Sequence, residues 1–93
     1  DAAEHLMIVD LVRNDLTRIA VVGSVAAPRQ PTLVQLPTVH HLVSTVRAEL
    51  PLEWRIASIA SALFPGGSIT GAPKRRAVEL IAEIEDEPRG IYC

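Results

Sequence analysis

Seven prolines divide this 93-residue chain and cap the length of every element it can form. Proline has no backbone N–H and a fixed φ, so it ends a central strand and is tolerated in a helix only in the first turn. Pro28 and Pro31 close the first third, Pro37 and Pro51 bracket a second stretch, and Pro65 and Pro73 flank a glycine-rich segment. Each interval has its own apolar period. Up to about Leu16 the spacing of Ile8, Leu11, Val12 and Leu16 is helical, with Asp1 as N-cap and Glu4 able to complete a capping box. Residues 18–25, rich in Ile, Val and Ala, read as a strand, and residues 32–36 as a shorter one.

Residues 39–50 read as the longest strand. One face carries Val39, His41, Val43, Thr45, Arg47 and Glu49; the other, more apolar, carries His40, Leu42, Ser44, Val46, Ala48 and Leu50. His40 is therefore expected to lean on a core and His41 to face a wetter space. Residues 52–63 read as a helix burying Trp54, Ile56, Ile59, Ala60 and Leu63, followed by a loop over 64–71. The last helix, 72–86, has Pro73 in its first turn and Ala77, Leu80, Ile81 and Ile84 on one face, with Arg75, Arg76, Glu79 and Glu83 largely on the other. Gly90, Ile91 and Tyr92 read as the opening of a strand. The order helix, strands, helix, helix, strand is α+β.

Composition narrows the function classes. Apolar residues are 48% of the chain, but the aromatics are only Trp54, Phe64 and Tyr92, so the interior must be aliphatic. A net charge of -2 with a pI near 5.9 provides no basic stripe for phosphates, and nucleic acid is not an expected partner. Unbroken apolar runs such as Leu6–Val9 fall far below the roughly 20 residues of a membrane span. The single cysteine, Cys93, cannot form an internal disulfide and no secretory signal is evident, so a reducing cytoplasm is expected. The chain starts without methionine at Asp1 and stops at Cys93, inside an apparent strand. It therefore reads as a segment of a longer protein, with 1–93 a partial domain truncated at both ends.

The richest stretch chemically is Pro65 to Lys74. Its glycines allow close backbone approach, Ser68 and Thr70 offer hydroxyls, and it leads into a helix start, where unpaired N–H groups favour an anion. It is not a phosphate-binding P-loop, because Gly71 is followed by Ala72 and Pro73 rather than by lysine. Ligand binding and a mere tight connection both fit the pattern. Glu4 can be a cap or a Mg2+ ligand, since Mg2+ is typically held by one or two carboxylates plus substrate oxygens. His40 and His41 point to opposite faces of a strand and cannot chelate one metal together; His41 is either structural or a hydrogen-bond or proton-transfer partner of a ligand. Asp10, Arg13 and Asn14, extended by Asp15 and Arg18, read as an architectural ion-pair and hydrogen-bond network on the first helix.

Four separated blocks resemble the chorismate-binding enzymes, which include the first components of anthranilate synthase and aminodeoxychorismate synthase. They are residues 3–16 (AEHLMIVDLVRNDL), 39–46 (VHHLVSTV), 64–74 (FPGGSITGAPK) and 89–93 (RGIYC). The resemblance implies an internal fragment of that family's α/β sandwich, with Glu4 as a Mg2+ ligand and His41 as the active-site histidine near the chorismate ring. It also implies Ser68, with Ile69, Thr70 and Gly71, as the substrate-binding loop and Tyr92 beside a substrate carboxylate. Asp10, Arg13, Asn14 and Asp15 mark the amine-transferring branches. Within these, Gly66 to Gly71 and Tyr92-Cys93 are more similar to the aminodeoxychorismate synthase branch than to the anthranilate synthase branch. Ammonia would come from a glutamine amidotransferase subunit or domain. The family's lysine motif, a second acidic region and the C-terminal metal glutamate have no counterpart here.

Overall fold

The computed structural model describes residues 2–92, so the expected cap at Asp1 lies outside the described residues, as does Cys93. Helix α1 (Ala2–Thr17) is followed by strands β1 (Thr32–Gln35) and β2 (His40–Val43), then α2 (Ile56–Leu63), α3 (Gly67–Thr70) and α4 (Lys74–Ile84), with a final 3-10 turn at Gly90–Tyr92. The molecule is a flat α+β layer measuring 40 × 38 × 21 Å. Among the described residues few are buried: Val9, Asp15 and Ile19, all from α1 and the turn that follows it.

The α1 stretch carries good helix formers (Ala2, Ala3, Glu4, Leu6, Met7, Leu11, Arg13 and Leu16) and no Gly or Pro, which favours an uninterrupted helix. It ends where the Thr17 hydroxyl donates to the Arg13 carbonyl at 2.7 Å, a back-bond that competes with continuing the ladder. Its inward stripe runs through His5, Ile8, Val9, Leu11, Asp15, Leu16 and Ile19. The Asp10–Arg13 pair, 3.4 Å apart, is on the solvent face, so the expected network does not fix the helix to its neighbours. Asp15, expected within that network, is instead buried and paired with Lys74.

The strand expected at 18–25 does not form. Gly23 adopts a φ of 79°, and the chain turns at Val21–Ser24, closed by the Ser24 N–H donating to the Val21 carbonyl at 3.0 Å. A Gly-Ser turn thus overrides a β-branched composition. The segment still touches residues 47–49, through Val21 N–H to the Glu49 carbonyl at 2.8 Å and an isolated bridge of Ala26 with Arg47.

β1 and β2 pair antiparallel, Thr32 opposite Val43 and Val34 opposite His41, across the turn containing Pro37. The long strand expected at 39–50 is regular only to Val43, because β1 begins at Thr32, just after Pro31, and supplies no partner further on. Beyond it the alternation persists: Ser44, Val46, Ala48 and Leu50 are half-buried, while Thr45, Arg47 and Glu49 are exposed. His40 is exposed like His41, correcting the expectation that it leans on a core.

α2 starts later than expected, after a turn in which the Trp54 N–H donates to the Pro51 carbonyl. Trp54, Ile59 and Leu63 are half-buried, whereas Ile56 and Ala60 face outward. The expected loop at 64–71 contains α3, and Pro73 stands just before α4 as its N-cap. On α4, Ala77 and Ile81 face inward with Lys74, but Leu80 and Ile84 are exposed. Residues 90–92 form a 3-10 turn, not a strand, with Gly90 at a φ of 60°.

That turn follows Arg89, whose guanidinium donates to both carboxylate oxygens of Glu85, the closest contacts being 2.9 Å. The hydrogen bonds from Arg89, aided by its charge, hold the Glu85 carboxyl below its ordinary pKa. A depressed carboxylate pKa stabilises the fold above the unfolded-state value, and that contribution is lost as pH falls through the folded value. In the complete, folded protein, carboxyl NMR is expected to show a low titration midpoint for Glu85 that rises in Arg89→Gln; an unchanged midpoint would refute the linkage.

Candidate functional site

The helical repeat brings Glu4, His5 and Ile8 to one side of α1, and the hairpin turn delivers His40, His41 and Leu42 at the start of β2. These six residues line an open recess of about 350 Å³. One tether across it is direct: His5 Nε2 and the Ser44 hydroxyl lie 2.9 Å apart, joining α1 to the extended segment after β2. The recess is thus lined by the chain's three histidines, one carboxylate, Ile8 and Leu42, with His41 on the opposite face of β2 from its neighbours His40 and Leu42. Such a lining can hold an amphipathic ring with polar substituents and offers imidazoles for hydrogen bonding or proton transfer.

Among the described residues, no three His, Cys, Asp or Glu side chains are grouped to hold a metal ion by themselves. A cation at Glu4 would complete its shell with ligand oxygens and water. That fits Mg2+, a hard ion that often takes only one or two protein carboxylates, better than it fits a transition metal, which would need the imidazoles to converge.

The structure thus unites Glu4 and His41, two of the residues singled out from sequence. It does not bring the others to the recess wall. Ser68 is exposed and Ile69 half-exposed on α3, and the Thr70 hydroxyl donates to the Gly66 carbonyl at 3.2 Å. Gly71 adopts a φ of 123°, so its glycine serves the backbone turn into α4. Gly67 serves packing: a Cβ there would stand 3.1 Å from Leu11 Cδ1 of α1. Tyr92 is 78% exposed in the final turn and does not line the recess.

Sequence reasoning passed over His5, whose signal was its place beside Glu4 on the inward side of α1. It also passed over Lys74. Its Nζ lies 2.6 Å from Asp15 Oδ2 and 3.4 Å from the Ala62 carbonyl, with the two charged side chains only 14% and 8% exposed. The available signal was a carboxylate on the apolar stripe of a helix, which requires a buried cation as partner.

The family model described as chorismate binding enzyme matches residues 1–93. Aminodeoxychorismate synthase component 1 of Escherichia coli (strain K12) is 54% identical over 93 residues, covering 100% of this chain and 20% of the relative. Anthranilate synthase component 1 of Archaeoglobus fulgidus is 46% identical, covering 100% of this chain and 23% of its own length. The solved anthranilate synthase component I from Streptococcus pneumoniae TIGR4 superposes with a TM-score of 0.78 at 41% identity, over 97% of this chain and 21% of that one. The chain thus spans about a fifth of the length of the first of these relatives. With the whole chain matched by one family model and the fold shared with a solved relative, this protein belongs to the chorismate binding enzyme family.

Proposed function

We propose that these residues form part of an aminodeoxychorismate synthase component I, which converts chorismate and ammonia to 4-amino-4-deoxychorismate with loss of water. The observation that carries this reading is the recess joining Glu4 to His41 in a chain of this family. The choice of branch is supported by the 54% identity to aminodeoxychorismate synthase component 1, against 46% to an anthranilate synthase component 1. Chorismate presents carboxylates and a C4 hydroxyl on an apolar-faced ring, which suits a recess with both imidazoles and aliphatic walls.

In this reading Glu4 is the protein ligand for Mg2+, which when bound supplies positive charge to hold and neutralise a substrate carboxylate. His41 faces the ring and donates a hydrogen bond to a reacting oxygen; departure of the C4 hydroxyl requires such a proton at the leaving atom. His5, tied to Ser44, holds the wall of the recess at a fixed distance from β2. Ser68, Ile69, Thr70, Gly71 and Tyr92 belong to the same substrate site, reached in the complete domain rather than within these residues alone. The "component 1" in the relatives' names points to a partner component, and we assign that partner the role of a glutamine amidotransferase supplying ammonia. The working compartment is the cytoplasm; among the described residues no helix is long and apolar enough to cross a membrane.

Product analysis tests the reading. The complete enzyme given chorismate, ammonia and Mg2+ is expected to accumulate 4-amino-4-deoxychorismate, which becomes para-aminobenzoate only when a separate lyase is added. Direct appearance of fluorescent ortho-aminobenzoate would identify an anthranilate synthase instead. Ammonia-independent isochorismate or salicylate would reject both amine-transfer readings.

A further inference from the structure

The Lys74 side chain is only 14% exposed. It points inward from the first residue of α4 and is held by Asp15 Oδ2 at 2.6 Å and the Ala62 carbonyl at 3.4 Å, thereby contacting α1, the end of α2 and its own helix at once. Four residues before Asp15 on α1 is Leu11, against which Gly67 packs so closely that a Cβ there would stand 3.1 Å from Leu11 Cδ1 and push that side chain aside. Leu11 and Asp15 share one side of the helix, so the segment between Gly67 and Lys74 is pinned at both ends to the same rod. Glu4 sits on that rod about two turns toward its N-terminus.

We infer that the Asp15–Lys74 pair is a positioning element: it fixes residues 66–71 in register with the Glu4 recess by anchoring both to α1. That residues 66–71 and the recess form one substrate site rests on the proposed function; the anchoring itself does not. Two features distinguish it from generic core stability. The pair is largely shielded from solvent, its side chains 14% and 8% exposed, and it is directional. An ammonium shared between two oxygens specifies where the start of α4 lies, whereas an apolar contact of equal volume attracts without fixing direction.

The test uses the complete enzyme. Lys74→Met leaves Asp15 buried without its cation and is expected to lower the melting temperature, whereas Asp15→Leu/Lys74→Met removes both charges and is expected to recover it, as apolar replacements of buried pairs often do. In this recovered variant, amide hydrogen exchange over residues 66–71 should be roughly tenfold faster than in the wild type, while exchange at Val9 is unchanged. The KM for chorismate should rise by roughly tenfold or more, with a smaller change in kcat. Lys74→Arg keeps the charge but replaces a compact ammonium with a wider planar fork, and should show the same signature with folding intact if the double variant fails to fold. Unchanged exchange over 66–71 in the folded variants would overturn the anchoring, whatever the substrate. Faster exchange with an unchanged KM would overturn its role in positioning the site. A wild-type enzyme inactive on chorismate would remove the proposed function, leaving the exchange result to decide the anchor on its own.

Discussion

Glu4→Gln in the complete enzyme is expected to cut Mg2+-dependent turnover by roughly 100-fold to 1,000-fold, the usual effect of removing a group that stabilises charge at a reacting centre. Its effect on folding should be no more than about 1 kcal/mol, the size of a lost capping contact. The two roles open to this carboxylate in the first turn of α1 separate on that difference. Glu4 is exposed and lines the recess opposite His40 and His41, so glutamine retains its size and costs little packing. Glutamine loses the charge, and a neutral amide oxygen is a much weaker ligand for a hard cation. Titrating Mg2+ against activity, alongside a thermal melt, checks both halves. A capping-sized loss of stability with unchanged Mg2+ dependence would show that Glu4 is only a cap.

The isolated 93 residues are expected to show no cooperative thermal transition, to bind an apolar-surface dye strongly, and to turn over no chorismate. The surface explains why. The chain exposes 7483 Å², whereas a compact monomer of its 10.1 kDa mass would expose about 5,300 Å². Its radius of gyration, 15.2 Å, likewise exceeds the roughly 12 Å of a compact domain of this length. The excess is substantially apolar: Val22, Leu52, Ile56, Ile84 and Ile91 are each at least 77% exposed. With only Val9, Ile19 and Asp15 well buried among the described residues, apolar burial cannot offset the roughly 1–2 kcal/mol of backbone entropy lost per ordered residue. In the proposed full-length enzyme, the rest of the domain covers these faces and supplies the groups missing from the site. A sharp monomeric transition without dye binding, or turnover by the purified 93 residues, would contradict this account.

The elements legible in the sequence were those decided locally. α1 formed where periodicity placed it, and β1 formed at 32–35 and stopped before Pro37, because helix propensity, apolar spacing and the missing proline N–H act within a few residues. The alternation after His40 was legible too, and Ser44, Val46, Ala48 and Leu50 kept the inward side even where no ladder formed. What failed was pairing. A strand needs a partner at the right register, and residues 18–25 and 44–50 read as strands by composition but lacked a continuous one.

The same division runs through the site. Glu4 and His41 stood out in the sequence as residue types at positions that resemble a family, and the sequence alone determined which functional groups stand there. Only the tertiary structure decided that they share a recess although 37 positions apart in the chain, that His5 lines it with them, and that Asp15 belongs with Lys74 rather than with Arg13. The physical reason is range. Propensity, caps and turns are set by neighbours along the chain, whereas a buried charge takes whichever opposite charge the packed helices bring within hydrogen-bonding distance, here one 59 residues away.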